Sequence, residues 1–123
     1  MNRYWVGGTG NWNDTSHWSA SSGGSGGASV PTSEDDVFID SNSGLSGGTI
    51  TVRYGYCNNL TCTSGHTYTI QGDDYGEITL NGSLELESGI TWGSHLMLIL
   101  SGSGTIKTNG VRLADIYMGA MLS

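Results

Sequence analysis

Between residues 57 and 110, apolar and polar positions alternate in short runs. Ile78 and Leu80 flank Thr79, Leu84 and Leu86 flank Glu85, and Leu96, Leu98 and Leu100 continue the spacing. A period of two is strand geometry, with successive side chains on opposite faces. The runs are punctuated at nearly regular intervals by polar-Gly steps, Ser64-Gly65, Asn81-Gly82 and Ser101-Gly102, and closed by Gly72, Gly89 and Gly110. From one step to the next the glycines lie 17 and then 20 residues apart, and each closing Gly follows 7, 7 and 8 residues later. The stretch therefore reads as one phrase spoken three times, LTCTSG-HTYTIQG, ITLNG-SLELESG and LILSG-SGTIKTNG. A unit of this length cannot close a core alone and must stack on its neighbours.

The pattern predicts an all-β fold, a short β-solenoid. A β-sandwich or jelly roll is the alternative, since meandering hairpins also give short strands with Gly punctuation. Upstream, Val37-Phe38-Ile39 reads as a short strand between turns, and Thr49 to Val52 as a clear strand and the first true rung. Three segments follow: a Trp/Gly-rich cap with loops over 1–48, a repeat region over 49–110, and a capping or docking tail over 111–123. In the tail, Leu113, Tyr117 and Met121 fall at i, i+4 and i+8. That spacing fits a short amphipathic helix over the last rung; the same residues could equally begin a rung completed by another chain.

The opening block holds Trp5, Trp12 and Trp18 interleaved with Gly7, Gly8 and Gly10. A solenoid exposes unpaired backbone and bare core at its first rung, and a folded-over, Trp-rich lid answers that problem. The three indoles are thus structural cap residues, or alternatively a platform on which a glycan stacks. The run W-V-G-G-x-G-x-W, then five residues and another W, is followed by a Ser/Gly-rich loop and S-V-P-T-S-x-D-D-V. It resembles openings of bacteriophage and prophage structural proteins, and of repeat modules in bacterial autotransporter-type adhesins. The matching residues are Trp5 to Gly8, Gly10, Trp12, Trp18, Ser29 to Ser33 and Asp35 to Val37, about the first third of the chain. The resemblance implies a structural role as tail fibre, tip or head decoration in a virion, with other virion proteins as partners. It also implies homo-oligomers, trimers among them, and a host-surface glycan as a further partner. A bacterial cell-surface adhesin is the runner-up. No catalytic residue carries across.

Composition narrows the chemistry. The chain has 21 glycines, a single proline, 12% charged residues and a net charge of −7, with only four Lys and Arg. Neutralising a phosphate backbone needs clustered cations, so nucleic acid is not an expected partner. No run is long enough to span a membrane, and no secretory signal opens the chain. The expected routes outside a cell are lysis, a particle, or export within a longer chain.

Cys57 and Cys62 match no common zinc spacing; they read as free, half-buried thiols acting as small apolar residues, with a disulfide across Asn58-Asn59 as the alternative. His17, His66 and His95 are isolated. Asp73, Asp74 and Glu77 form the best acidic cluster for calcium or glycoside cleavage, but their spacing fits neither an EF-hand nor a calcium nonapeptide. Solvated turn carboxylates are the reading, with Glu85 and Glu87 on the solvent face of a strand. The expectation is a non-enzymatic protein without cofactor or metal.

Overall fold

The computed structural model describes residues 1–113 and the backbone of residues 115–117. Its strands, in chain order, are β1 (Asn2–Trp5), β2 (Gly10–Asn11), β3 (Trp18–Ser19), β4 (Asp36–Ile39), β5 (Thr49–Cys57) and β6 (Leu60–Cys62). They continue as β7 (Tyr68–Leu80), β8 (Leu84–Glu85), β9 (Ile90–Trp92), β10 (Leu96–Leu100), β11 (Ile106–Lys107) and β12 (Asp115–Tyr117). Two sheets result. Sheet A runs β11-β8-β6-β4-β1-β3; sheet B runs β12-β10-β7-β5-β2, with β9 also on β7. Among the described residues every pairing is parallel except β1 with β3. A chain that passes between two parallel sheets and returns to each one strand further along is a β-solenoid. A sandwich of meandering hairpins would pair antiparallel.

Register turns the period-two pattern into columns. Val37, Leu60, Leu84 and Ile106 stack in sheet A. Ile50, Ile70 and Trp92 stack in the first half of sheet B, and Gly55, Ile78 and Leu98 in its second half. All but Ile106 lie in the core, which also takes in Ile39, Cys57, Cys62, Leu80 and Leu86. Each buried Leu or Ile contributes about 1.5–3 kcal/mol relative to an exposed one.

The register also corrects the phase of the repeat. Leu60–Cys62 lies in sheet A, whereas Ile78–Leu80, which opens the second phrase, lies in sheet B. The true copies align Leu60 with Leu84 and Ile106, at steps of 24 and 22 residues. The first phrase starts in sheet A and the other two in sheet B, half a turn apart, because both corners of a turn carry polar-Gly steps. The solenoid also begins earlier than expected: β1 and β2 already lie on β4 and β5, so the first rung starts at Asn2 and the segment 1–48 is part rung and part cap. That rung escaped notice because Arg3 and Trp5 occupy the inward positions that later hold Val37 and Ile39.

A polar ladder zips one corner. Asp36 Oδ1 accepts from the Asn59 backbone N–H (3.2 Å) and from the side-chain amides of Asn58 and Asn59 (3.0 Å each). Asn59 Oδ1 accepts from Ser83 N–H (2.7 Å), and Ser83 Oγ from Thr105 N–H (2.9 Å). Three successive rungs thus present a short polar side chain, one residue before the first inward apolar residue, to the next rung's backbone. Such bonds satisfy turn donors that the strand ladders cannot reach.

At the N-terminal end the chain folds back to seal the core. A 3₁₀ turn, Thr15–His17, is capped by Asp14, whose carboxylate accepts from Ser16 N–H (3.0 Å). It leads into β3, antiparallel on β1, so the first edge of sheet A is covered rather than left bare. Arg3, only 8% exposed, ties the following loop down: Nε and Nη2 donate to the Ser29 carbonyl (2.9 Å) and hydroxyl (2.8 Å). In the tail, Asp115–Tyr117 is a strand parallel to β10, not the amphipathic helix that the spacing of Leu113 and Tyr117 suggested. Pairing with the open edge of β10 outweighs helix periodicity in so short a segment. Met121 lies outside the described residues.

Candidate functional site

The aromatic candidates are interior. Trp5, Trp12 and Trp18 are each 0% exposed, and Trp18 meets both others edge-on, with ring centroids 5.2 and 4.9 Å away. Trp5 also stacks flat on His17 (4.6 Å), whose Nδ1 donates to the Val6 carbonyl (2.7 Å). Gly10 lies so close beneath that imidazole that a β-carbon there would overlap it. Trp5 and Trp18 place their indole N–H groups on the carbonyls of Gly8 (2.8 Å) and Trp12 (2.6 Å). Trp12 Nε1 alone among the described buried side-chain polar atoms has no partner. Its ring lies over the backbone of Gly55, which leaves the room a side chain would take. No face of these three rings is open to a sugar. They plug the first rung.

The thiols of Cys57 and Cys62 are free and buried. Burial pushes both up to about 12, with neighbouring negative charge adding to it. They are inert core residues under ordinary conditions.

Three of the candidate carboxylates, Asp73, Glu77 and Glu87, are engaged with near neighbours. Glu87 is not a solvent-facing charge: it accepts from Ser64 N–H (2.7 Å), Ser64 Oγ (2.9 Å), Gly65 N–H (2.6 Å) and the Tyr68 hydroxyl (3.2 Å). It staples one rung's corner to the next. Asp73 pairs with Arg53 at 3.4 Å, both half-exposed, and Glu77 accepts from the Tyr75 hydroxyl. Among the described residues no three His, Cys, Asp or Glu side chains converge as metal ligands would.

The exposed aromatic side chains lie on sheet B. Val52 of β5 pairs with Gly72 of β7, but Tyr54 pairs with Glu77, so β7 throws out the residues between as a bulge. Gly72 and Gly76 pinch its base. A β-carbon on Gly72 would overlap the His95 carbonyl oxygen, and one on Gly76 the Val52 carbonyl oxygen. Asp73, Asp74 and Tyr75 therefore stand proud of the sheet. Beside them Tyr54 and Tyr56 point outward from β5 while Gly55 and Cys57 point in. Tyr54, Tyr56 and Tyr75 are 46–47% exposed, the most exposed aromatic side chains among the described residues. Next to them a cleft of about 210 Å³ is lined by Asn11, Asn13, Thr51, Arg53 and Asp73. Asn13 Nδ2 donates to the Tyr54 carbonyl (3.2 Å), fixing the cap loop against the tyrosine strand.

Sequence reasoning passed over this group. Its signal was the triplet Tyr54-Gly55-Tyr56, in which a period of two puts both rings on the face opposite the core. At the far end, a second cavity of about 360 Å³ opens between Ile90, Thr91, Trp92 and Gly110, Val111, Arg112, near half-buried Leu113. No described helix is long and apolar enough to cross a membrane. Neither a protein-family model, nor a curated protein, nor a solved structure matches this chain.

Proposed function

We propose that this β-solenoid is a structural component of a bacteriophage virion, a tail-fibre, tip or capsid-decoration module that works by attaching to other virion proteins and presenting a surface. The observation that carries the reading is the closed first rung: a Trp-filled cap with an antiparallel covering strand ends a stack otherwise built from parallel rungs. A stack sealed at one end is a rigid post, whose stiffness comes from backbone ladders and corner side chains rather than from a thick core. The motif of the cap residues, from Trp5 to Gly8 with Gly10, Trp12 and Trp18, supports the same reading through its resemblance to phage and prophage openings.

Immunogold electron microscopy on particles and cells of the source, with antibody to this chain, tests it. Gold at a fixed position on phage-like particles is expected, and its position on head or tail names the role. Gold on cell envelopes with bare particles sinks the virion reading and promotes the surface adhesin. The exposed tyrosines of sheet B favour a second element within either reading, a face that meets a ligand.

A further inference from the structure

We infer that the outer face of sheet B around Tyr54, Tyr56 and Tyr75 is a glycan-binding site for a neutral oligosaccharide, seated in the Asn11–Asn13–Thr51–Arg53–Asp73 cleft. Three observations carry this. First, the rings are displayed rather than stranded: Tyr54 and Tyr56 alternate with buried Gly55 and Cys57 on the half of β5 that is laddered to β7, just beyond the Ile50–Thr51 half that also carries β2. Tyr75 rides on a bulge held at its base by Gly72 and Gly76, and its hydroxyl is fixed on Glu77. Rigid aromatic side chains with a polar end offer apolar area at low entropic cost, which suits the C–H faces of a sugar ring.

Second, the adjoining cleft carries two carboxamides, a hydroxyl, a guanidinium and a carboxylate within the volume of about one pyranose ring. Such a set can donate to and accept from adjacent sugar hydroxyls, and a few fixed polar groups beside an apolar wall are the usual make-up of a small-ligand site. The Arg53–Asp73 pair at 3.4 Å is half-exposed, so its donors and oxygens remain partly available to a ligand.

Third, charge selects against polyanionic ligands. Asp73, Asp74 and Glu77 flank the one nearby cation, Arg53, on a chain of net charge −7. Sulfated or phosphorylated polymers are repelled.

The test is a titration of the isolated chain with neutral oligomers of glucose, galactose and N-acetylglucosamine, followed by amide and tyrosine-ring NMR. Tryptophan fluorescence is the wrong probe, because the cap indoles are buried. The expected result is perturbation confined to Asn11, Asn13, Arg53, Gly55 and the three tyrosine rings. Tyr54→Ala with Tyr56→Ala should weaken binding at least tenfold, whereas Tyr4→Ala, on the outer face of sheet A, should leave it unchanged. Should the double variant not fold, Asn13→Ala replaces it and should weaken binding severalfold. Absence of any perturbation across the panel, or perturbation centred away from sheet B, overturns the proposal. So does a protein ligand that occupies the tyrosine face and is not displaced by sugar. The assay needs no particle, so its failure leaves the virion reading standing, and failure of that reading leaves this site intact.

Discussion

Trp12 and Trp18 occupy the same plug and are equally buried, yet trimming each indole to a phenyl ring should have opposite consequences. Trp18 donates its N–H to the Trp12 carbonyl at 2.6 Å, whereas the Trp12 N–H has no partner. Either substitution removes on the order of 40 Å³ from a sealed core, which costs about 1 kcal/mol. Trp18→Phe also strips a buried carbonyl of its donor, a further ~1–3 kcal/mol. The total loss is about 2–4 kcal/mol. Trp12→Phe instead removes an unsatisfied donor whose burial costs ~1–3 kcal/mol, offsetting the cavity. Its net effect should lie between zero and about 2 kcal/mol of stabilisation. Urea unfolding followed by far-UV circular dichroism separates the two, provided the slope is unchanged between variants. The midpoint should fall clearly for Trp18→Phe and hold or rise for Trp12→Phe. Equal destabilisation of both would refute the reasoning, since it requires that the Trp12 N–H be satisfied in solution.

Other parts of the fold give sharper yes-or-no outcomes. Glu87→Ala removes an acceptor for four donors and should cost about 2–4 kcal/mol, with Glu87→Gln recovering part of it, both read by urea midpoint. Asn59→Ala cuts the corner ladder at Ser83 N–H and at Asp36, an expected loss of about 2–3 kcal/mol; a loss under about 0.5 kcal/mol refutes the ladder's role. Gly72→Ala forces a methyl into the His95 carbonyl and should cost about 3 kcal/mol, read as a fall in thermal midpoint. The two buried thiols are raised from 9.0 to about 12, so between pH 9 and 12 the unfolded chain gives up protons that the folded chain keeps. Stability should therefore fall as pH rises through that window. Cys57→Ala with Cys62→Ala should flatten the slope, leaving the contribution of Tyr68, whose phenol burial also pushes up. In native protein at pH 8 neither thiol should react with a disulfide reagent; rapid labelling without denaturant would contradict their burial.

The solenoid was legible because its determinant is local. Alternation in Leu84-Glu85-Leu86 or Ile78-Thr79-Leu80 states which side chains face inward, and a short repeat forces stacking on neighbours. Phase was less legible. Asn58-Asn59, Asn81-Gly82 and Ser101-Gly102 sit at one corner, while Ser64-Gly65 and Ser88-Gly89 sit at the other, and composition does not distinguish two corners of one turn. The column Asp36, Asn59, Ser83, Thr105 does carry the phase. It is visible only once the residue before each inward apolar position is compared across rungs, because Asp, Asn, Ser and Thr share a geometry rather than a letter. The tail offers two readings for a related reason: the spacing of Leu113, Tyr117 and Met121 suits a helix as well as the start of a rung, and the open edge of β10 decides for the strand at Asp115–Tyr117.

The site was hidden by the same rule that revealed the fold. In a solenoid the inward residues are constrained by stacking and the corners by their hydrogen bonds, so a sequence reading that looks for order finds those first. Outward positions on sheet B are free of both constraints. Thr51 and Thr79 there are small and unremarkable, as a solvated strand face requires. Tyr54 and Tyr56 depart from that background on the same strand, and Tyr75 departs from it on a bulge that needs two glycines to exist. None of the three rings helps to fill the core. Trp12, by contrast, fills the space over Gly55 directly behind them, so that the cap braces the strand from inside while the tyrosines face out. The buried tryptophans and the exposed tyrosines are thus two sides of one wall, and the aromatic residues that drew attention in the sequence support those that the structure makes available to a ligand.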